Sequence, residues 1–196
     1  GVSKMSLTKQ AKVLSEVQIK TTLAHISTTR LSIRNTVMVL LSVDAGLRAK
    51  EIASVTWEMV TDAEGNLTDT IRLLNKASKG SSGGVVFMSK RLIGALSELK
   101  ATIKEPKGNI IVSSRSRSSM SSQAVVNWFF TLYRDLGFDG CSSHSGRRTA
   151  ITKWARKISS VGGSLRDVQS LARHSSLAMT QKYIEVSEDA MKKVVG

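Results

Sequence analysis

The sequence holds one cysteine, Cys141, and one proline, Pro106. A lone cysteine excludes an intrachain disulfide framework and a cysteine-based zinc site, and it suits a reducing cytosol. A single proline beside 5% aromatic residues argues against a proline-rich linker protein. No apolar run approaches the roughly 20 residues that span a bilayer, and no charged-then-apolar signal segment opens the chain, so no membrane partner is expected. Acidic residues are scarce as well: 15 stand against 29 lysines and arginines, for a net charge of +14. That imbalance favours a polyanionic partner, usually nucleic acid. A soluble basic protein, or one that holds anionic lipid or RNA nonspecifically, would carry the same charge.

What is present fits one globular domain. The chain has 196 residues, 41% of them hydrophobic, enough for a real core and too few residues for two ordinary domains. Gly1 is not a start methionine, so residues Gly1–Lys4 read as a cloning remnant or a domain cut, with Met5 a candidate native start. There is no internal repeat, and the serine-rich stretch Ser113–Ser122 reads as a basic loop. Residues 7–45 have a helical pattern, with Val37–Val43 apolar on nearly every side as in a buried helix, and Gly46 is a natural stop. A short helix restarts at Arg48 and runs to about Val55. From Trp57 the period changes. Trp57–Thr61, Thr70–Asn75 and Gly84–Ser89 are short and strand-like, separated by turn chemistry at 62–66 and 76–83. They predict a small three-stranded antiparallel sheet. Helices are expected again over 90–103, 122–136, 144–158, 164–172 and 176–186. The fold class is a mostly helical α+β domain with a small inserted sheet.

Several polar residues sit where a core does not want them. In the helix 144–158, the apolar stripe Ile151, Trp154, Ala155 and Ile158 extends backwards to Arg147 and His144. An inward guanidinium keeps its charge and needs an anion beside it, which an internal salt bridge or a bound phosphate would supply. Arg48 opens a short helix, where the dipole favours anions. Glu51, three residues on, can orient the guanidinium on its own helix face; taken alone, the two read as a surface pair. Lys79 lies in the Gly/Ser-rich turn between the second and third strands, with Lys76 as its competitor. His174 follows a helix break, and Tyr183 comes nine residues later, on the last turns of a helix capped by Ser175 or Ser176. The other tyrosine, Tyr133, belongs to an apolar helix and reads as core.

In this order the residues resemble the catalytic domain of the tyrosine recombinase (phage integrase) family. The likeness runs from about Leu7 to Val186. It rests on Ala45-Gly46-Leu47-Arg48-Ala49-Lys50-Glu51-Ile52 followed by Trp57, on His144-Ser145-Gly146-Arg147-Arg148-Thr149, and on the run from Leu171 through His174-Ser175-Ser176-Leu177 to Thr180-Gln181-Lys182-Tyr183. The resemblance implies that Arg48 and Arg147 are the two phosphate-binding arginines. It implies that Lys79 is the hairpin lysine, His144 and His174 the two histidines, Tyr183 the nucleophile and Glu51 the support of the first arginine. It implies double-stranded DNA as partner, a tetramer on paired sites, and a monomer without DNA. It also implies a cytoplasmic, nucleoid-associated protein of a prokaryote or phage. Two features depart from the pattern. Arg173 stands where the family usually has glycine, and residues 1–20 are too few for the N-terminal helical clamp domain of typical members. The chain is therefore expected to be an excised catalytic domain or a naturally short member.

The implied reaction suits these residue types. Two planar, permanently charged arginines can grip the nonbridging oxygens of a phosphodiester under attack, with His174 as a third donor. Tyr183 would attack phosphorus and form a 3′-phosphotyrosine link. His144 would accept or place the phenol proton, and Lys79 would protonate the departing 5′ oxygen. The bond energy stays in the covalent link, so ATP is not expected, and because the arginines supply the positive charge no metal cofactor is expected either. A type IB topoisomerase uses similar chemistry. A noncatalytic DNA-binding accessory protein on the same fold, or a generic basic RNA-binding protein, also fits the charge.

Overall fold

In the computed structural model, residues 10–74, 84–115 and 118–196 are described. The chain divides into two compact units, residues 1–150 and 151–196.

The first unit is built around one helix that is apolar on nearly all sides. Helix α2 (Ser32–Val43) buries every residue from Val37 to Val43, as a central core helix must. Helix α1 (Glu16–Ser27) packs on it; its first turn is closed by a reciprocal capping box between Ser15 and Gln18. The helical pattern of residues 7–45 thus resolves into two helices, interrupted at Thr28–Leu31. Before α1, the backbone N–H of Lys12 donates to the Gly140 carbonyl at 3.0 Å, and that of Leu14 to Thr149 Oγ1 at 2.9 Å.

Past α2 comes the short helix α3 (Ala49–Ser54), then a single 3₁₀ turn, Trp57–Met59. The strands are β1 (Thr70–Leu73) and β2 (Gly84–Phe87), antiparallel with Ile71 opposite Val86 and Arg72 opposite Val85. Ile71, Leu73 and Val86 face the core, whereas Arg72, Val85 and Phe87 are exposed. The sheet therefore has two strands among the described residues, not the three expected. Trp57–Thr61 is short and apolar-rich like a strand, but its backbone closes on itself: Met59 N–H reaches Thr56 O and Val60 N–H reaches Trp57 O. Only Thr61 makes a bridge, to Leu67. Three closely spaced apolar groups, Trp57, Met59 and Val60, are all buried by this turn, which a flat strand would split between two faces.

Helix α4 (Lys90–Ala101), capped by Ser89, packs against α2. Asp44, just past the end of α2, fixes the two together: its carboxylate accepts Ser89 Oγ and both Nε and Nη2 of Arg91, each at 2.6 Å. Helix α5 (Ser122–Asp135) packs on α3 and buries Val125, Phe129, Leu132 and Tyr133. The first two turns of α6 (Ser143–Lys157) complete the unit.

The second unit holds the rest of α6, a 3₁₀ turn at Ile158–Val161, and helices α7 (Leu165–Ala172), α8 (Leu177–Gln181) and α9 (Glu188–Val195). Its small core is Ile151, Val168 and Ala172, flanked by Trp154, Ala155, Ile158, Leu165 and Tyr183. Helix α8 is shorter than the expected 176–186. The bonds Tyr183 N–H to Thr180 O and Ile184 N–H to Gln181 O tighten its end to 3₁₀ spacing, so Tyr183 lies in the turn after the helix. Ser176 is the N-cap residue.

Candidate active site

The first unit contributes two arginines anchored on one turn. Helix α2 ends, Gly46 takes a left-handed φ of 68°, and Leu47 is fully buried. Arg48 then starts α3 with an extended backbone, and Glu51 Oε1 accepts its N–H at 2.8 Å. The second Glu51 oxygen lies 3.6 Å from Arg48 Nη1. An exposed pair of this kind contributes at most about 1 kcal/mol. Here the Glu51 side chain is 0% exposed and that of Arg48 22%. The carboxylate is thus a buried charge that requires its partners, and the surface-pair reading does not hold.

Arg147 reaches the same turn from α6. It is 9% exposed, and its Nη1 donates to the Gly46 carbonyl at 2.9 Å. The approach of α6 to α2 depends on Gly146: a Cβ there would lie 1.8 Å from Ser42 Oγ. Only glycine fits against α2 at that point.

His144 is exposed, although the stripe argument placed it inward. The buried line of α6 runs back from Ile151 and Arg147 by a step of four, to Ser143, not by a step of three. Ser145 and Gly146 fill the rest of the inward side, and the first turn leaves His144 in solvent. Lys79 and Lys76 lie outside the described residues.

The second unit carries the remaining two candidates. Helix α7 stops at Arg173, which is left-handed at φ 57°, ψ 39° and is the one non-glycine residue of positive φ among the described residues. That conformation costs a side-chain-bearing residue roughly 1–2 kcal/mol. Two capping bonds offset it: His174 N–H to Gln169 O and Arg173 N–H to Ser170 O, both 3.1 Å. The chain reverses there and presents His174. Gln169 Nε2 donates to the His174 carbonyl at 3.3 Å. The imidazole Nδ1 lies 2.8 Å from Thr180 Oγ1, and the ring stacks on Tyr183 with centroids 5.9 Å apart and planes at 23°. The other tyrosine is a contrast. Tyr133 is fully buried and burial pushes its phenol up, away from ionisation. Tyr183 is half-buried.

Sequence reasoning missed the Thr180–His174 contact, Gln169 and the Gly146–Ser42 contact. Thr180 is fully buried in an otherwise ordinary helical run, and its spacing from His174 matches no helical period, because a loop intervenes. Among the described residues no group of three or more His, Cys, Asp or Glu could hold a metal ion, and no helix is long and apolar enough to cross a membrane.

The model of the phage integrase family matches residues 12–189. No curated protein sequence matches the chain. Among solved structures it is similar to the XerA recombinase, at 21% identity and a TM-score of 0.69, covering 94% of this chain and 62% of that one. It is similar to the Tn1549 transposon integrase in complex with a circular intermediate DNA, at 18% identity and a TM-score of 0.72, covering 93% and 64%. It is also similar to a lambda integrase dimer bound to a core site, at 16% identity and a TM-score of 0.64, covering 92% and 64%. The chain spans less than two thirds of the length of each of these structures.

Proposed function

The chain belongs to the phage integrase family, and we propose that it cleaves and rejoins double-stranded DNA at specific sites through a 3′-phosphotyrosine intermediate. The observation that carries this reading is the shared anchorage of Arg48 and Arg147. One is held through Glu51 and the other through the Gly46 carbonyl, so both guanidiniums are fixed to one turn. A guanidinium presents its N–H donors in a planar fork that matches phosphate geometry. Two such groups in fixed positions suit the negative charge that grows on the nonbridging oxygens of a phosphodiester, and losing one preorganised donor of this type costs about 2.7–4 kcal/mol in the barrier.

In the proposed reaction the Tyr183 oxygen bonds to phosphorus and the bond from phosphorus to the 5′ oxygen breaks. The phenol proton leaves through His144 or water, and Lys79 protonates the departing 5′ oxygen. His174 donates to the phosphate. A 5′-hydroxyl from a second strand then displaces the tyrosine, reversing each proton transfer. Energy is conserved in the phosphotyrosine bond, so no ATP is consumed, and the arginines supply the positive charge that a metal would otherwise bring. The whole chain acts as one catalytic domain. It is a monomer without DNA and a tetramer on paired sites, working on the nucleoid in the cytoplasm of a prokaryote or on phage DNA. The +14 charge supports a DNA partner.

The test is a nicked suicide substrate, which traps the covalent complex on a denaturing gel. Wild-type protein should give a shifted band and Tyr183→Phe should bind DNA without one. A band that survives in Tyr183→Phe would end the assignment, and no band from either protein would favour a noncatalytic accessory role.

A further inference from the structure

We infer that Thr180 is a positioning residue that sets the tautomer of His174, holding the neutral imidazole with its proton on Nε2. Thr180 is 0% exposed, so water cannot serve its hydroxyl. Its Oγ1 lies 2.8 Å from His174 Nδ1. A buried hydroxyl proton needs an acceptor, and the Nδ1 lone pair provides one at hydrogen-bond distance. The hydroxyl donates to Nδ1, and the ring proton is then carried by Nε2, because the bond made by one ring nitrogen fixes the state of the other. If Nδ1 carried the proton instead, the Thr180 hydroxyl would accept it and its own hydrogen would be left in the core.

The rest of the neighbourhood restricts the ring in complementary ways. The left-handed cap at Arg173 and the Gln169 bond to the His174 carbonyl fix where the backbone turns. Stacking on Tyr183 limits rotation of the ring plane. Neither contact distinguishes the two nitrogens. Thr180 does, and it makes Nε2 a hydrogen-bond donor without requiring the imidazole to be charged. This inference rests on the proposed role of His174 as a phosphate donor only in its consequence for cleavage; the tautomer itself is a property of the DNA-free protein.

The experiment therefore has two arms. In the first, ¹⁵N-labelled full-length protein is titrated by NMR, with His174 assigned by loss of its signals in His174→Asn. Above its titration, wild-type His174 should show an unprotonated Nδ1 and a protonated Nε2, and Thr180→Ser should show the same. Thr180→Val, nearly isosteric, should shift the ring towards a mixture of tautomers. Persistence of the pure Nε2–H form in Thr180→Val overturns the inference, as does an Nδ1–H form in wild type. In the second arm, covalent-complex formation should slow about 10–100-fold in Thr180→Val, the range found when a metal-ligating histidine loses the partner that orients it. Thr180→Ser should be rescued and DNA affinity should be unchanged. Equal cleavage by Thr180→Val and wild type would remove the functional role of Thr180. Absence of cleavage by wild type would instead strike at the recombinase reading, with the NMR arm still deciding on Thr180. If Thr180→Val proves too unstable to assay, Thr180→Ala serves in its place, since it also lacks the hydroxyl.

Discussion

Arg147 Nη1 donates to the carbonyl oxygen of Gly46 across 2.9 Å and 101 residues of sequence. The bond uses one nitrogen of a planar fork, and the fork is what a lysine lacks. Arg147→Lys should keep the positive charge and most DNA affinity, yet slow formation of the covalent complex by about 10²–10³-fold. Single-turnover cleavage and a fluorescence-anisotropy titration check the two halves separately. A lysine variant as fast as wild type would show that charge alone, not geometry, is required at this position.

The contact between Gly146 and Ser42 makes a stability prediction. Gly146→Ala places a methyl 1.8 Å from Ser42 Oγ and 2.8 Å from the Ser42 carbonyl carbon, so α2 or α6 must shift. Overpacking of this kind costs about 1–3 kcal/mol, occasionally more. Ser42→Ala should be neutral or slightly stabilising, because Ser42 Oγ is buried with no hydrogen-bond partner among the described residues. Urea midpoints of the two variants give the comparison. Ser42→Ala should restore only part of the loss in the double variant, since the Ser42 backbone also stands in the way.

Arg173 can be separated into backbone and side chain by comparing two substitutions. Arg173 is 7% exposed as a residue; Arg173→Gly and Arg173→Ala both remove its guanidinium, but only alanine retains the left-handed penalty. Arg173→Gly should therefore be the more stable of the pair by about 1 kcal/mol. Equal unfolding midpoints would mean that the residue leaves this conformation once its side chain is cut back.

The general-acid assignment is tested with a substrate whose bridging 5′ oxygen is replaced by sulfur, a leaving group that needs no proton. Lys79→Ala should cleave ordinary DNA about 10²–10⁴-fold more slowly and the sulfur substrate at nearly the normal rate. Lys76→Ala should match wild type on both. Rescue of Lys76→Ala in place of Lys79→Ala would move the role three residues back.

What could be read from the sequence depended on how local the cause was. The burial of Val37–Val43 and the restart after Gly46 follow from residue types within a turn of each other, whereas the left-handed position at Arg173 stands out only against the family pattern. The family resemblance was legible for the same reason, since its motifs are short and contiguous. The misreadings came from periodicity applied at the ends of elements. Trp57–Thr61 is short and apolar-rich like a strand, yet one 3₁₀ turn buries its apolar groups together. At the start of α6, steps of three and of four both continue a stripe, and the structure buries Ser143 and leaves His144 in solvent. Thr180 belongs to the motif, but its contact with His174 was not legible, because the two are joined through a loop whose path is set by the cap at Arg173.

The bonds from Lys12 to Gly140 and from Leu14 to Thr149 have a kinetic consequence. The segment before α1 finds its partners only in the last part of the first unit, so its docking closes a long loop. During synthesis at about 5–20 residues per second, Leu14 would leave the ribosome about 7–27 seconds before Thr149 does. The core around α2 can form in that interval, but the nascent chain carries an unpaired extended segment beside it until α6 arrives. Ribosome-bound chains halted short of Gly140 should be nicked by protease in this segment, and chains extended past Thr149 should resist.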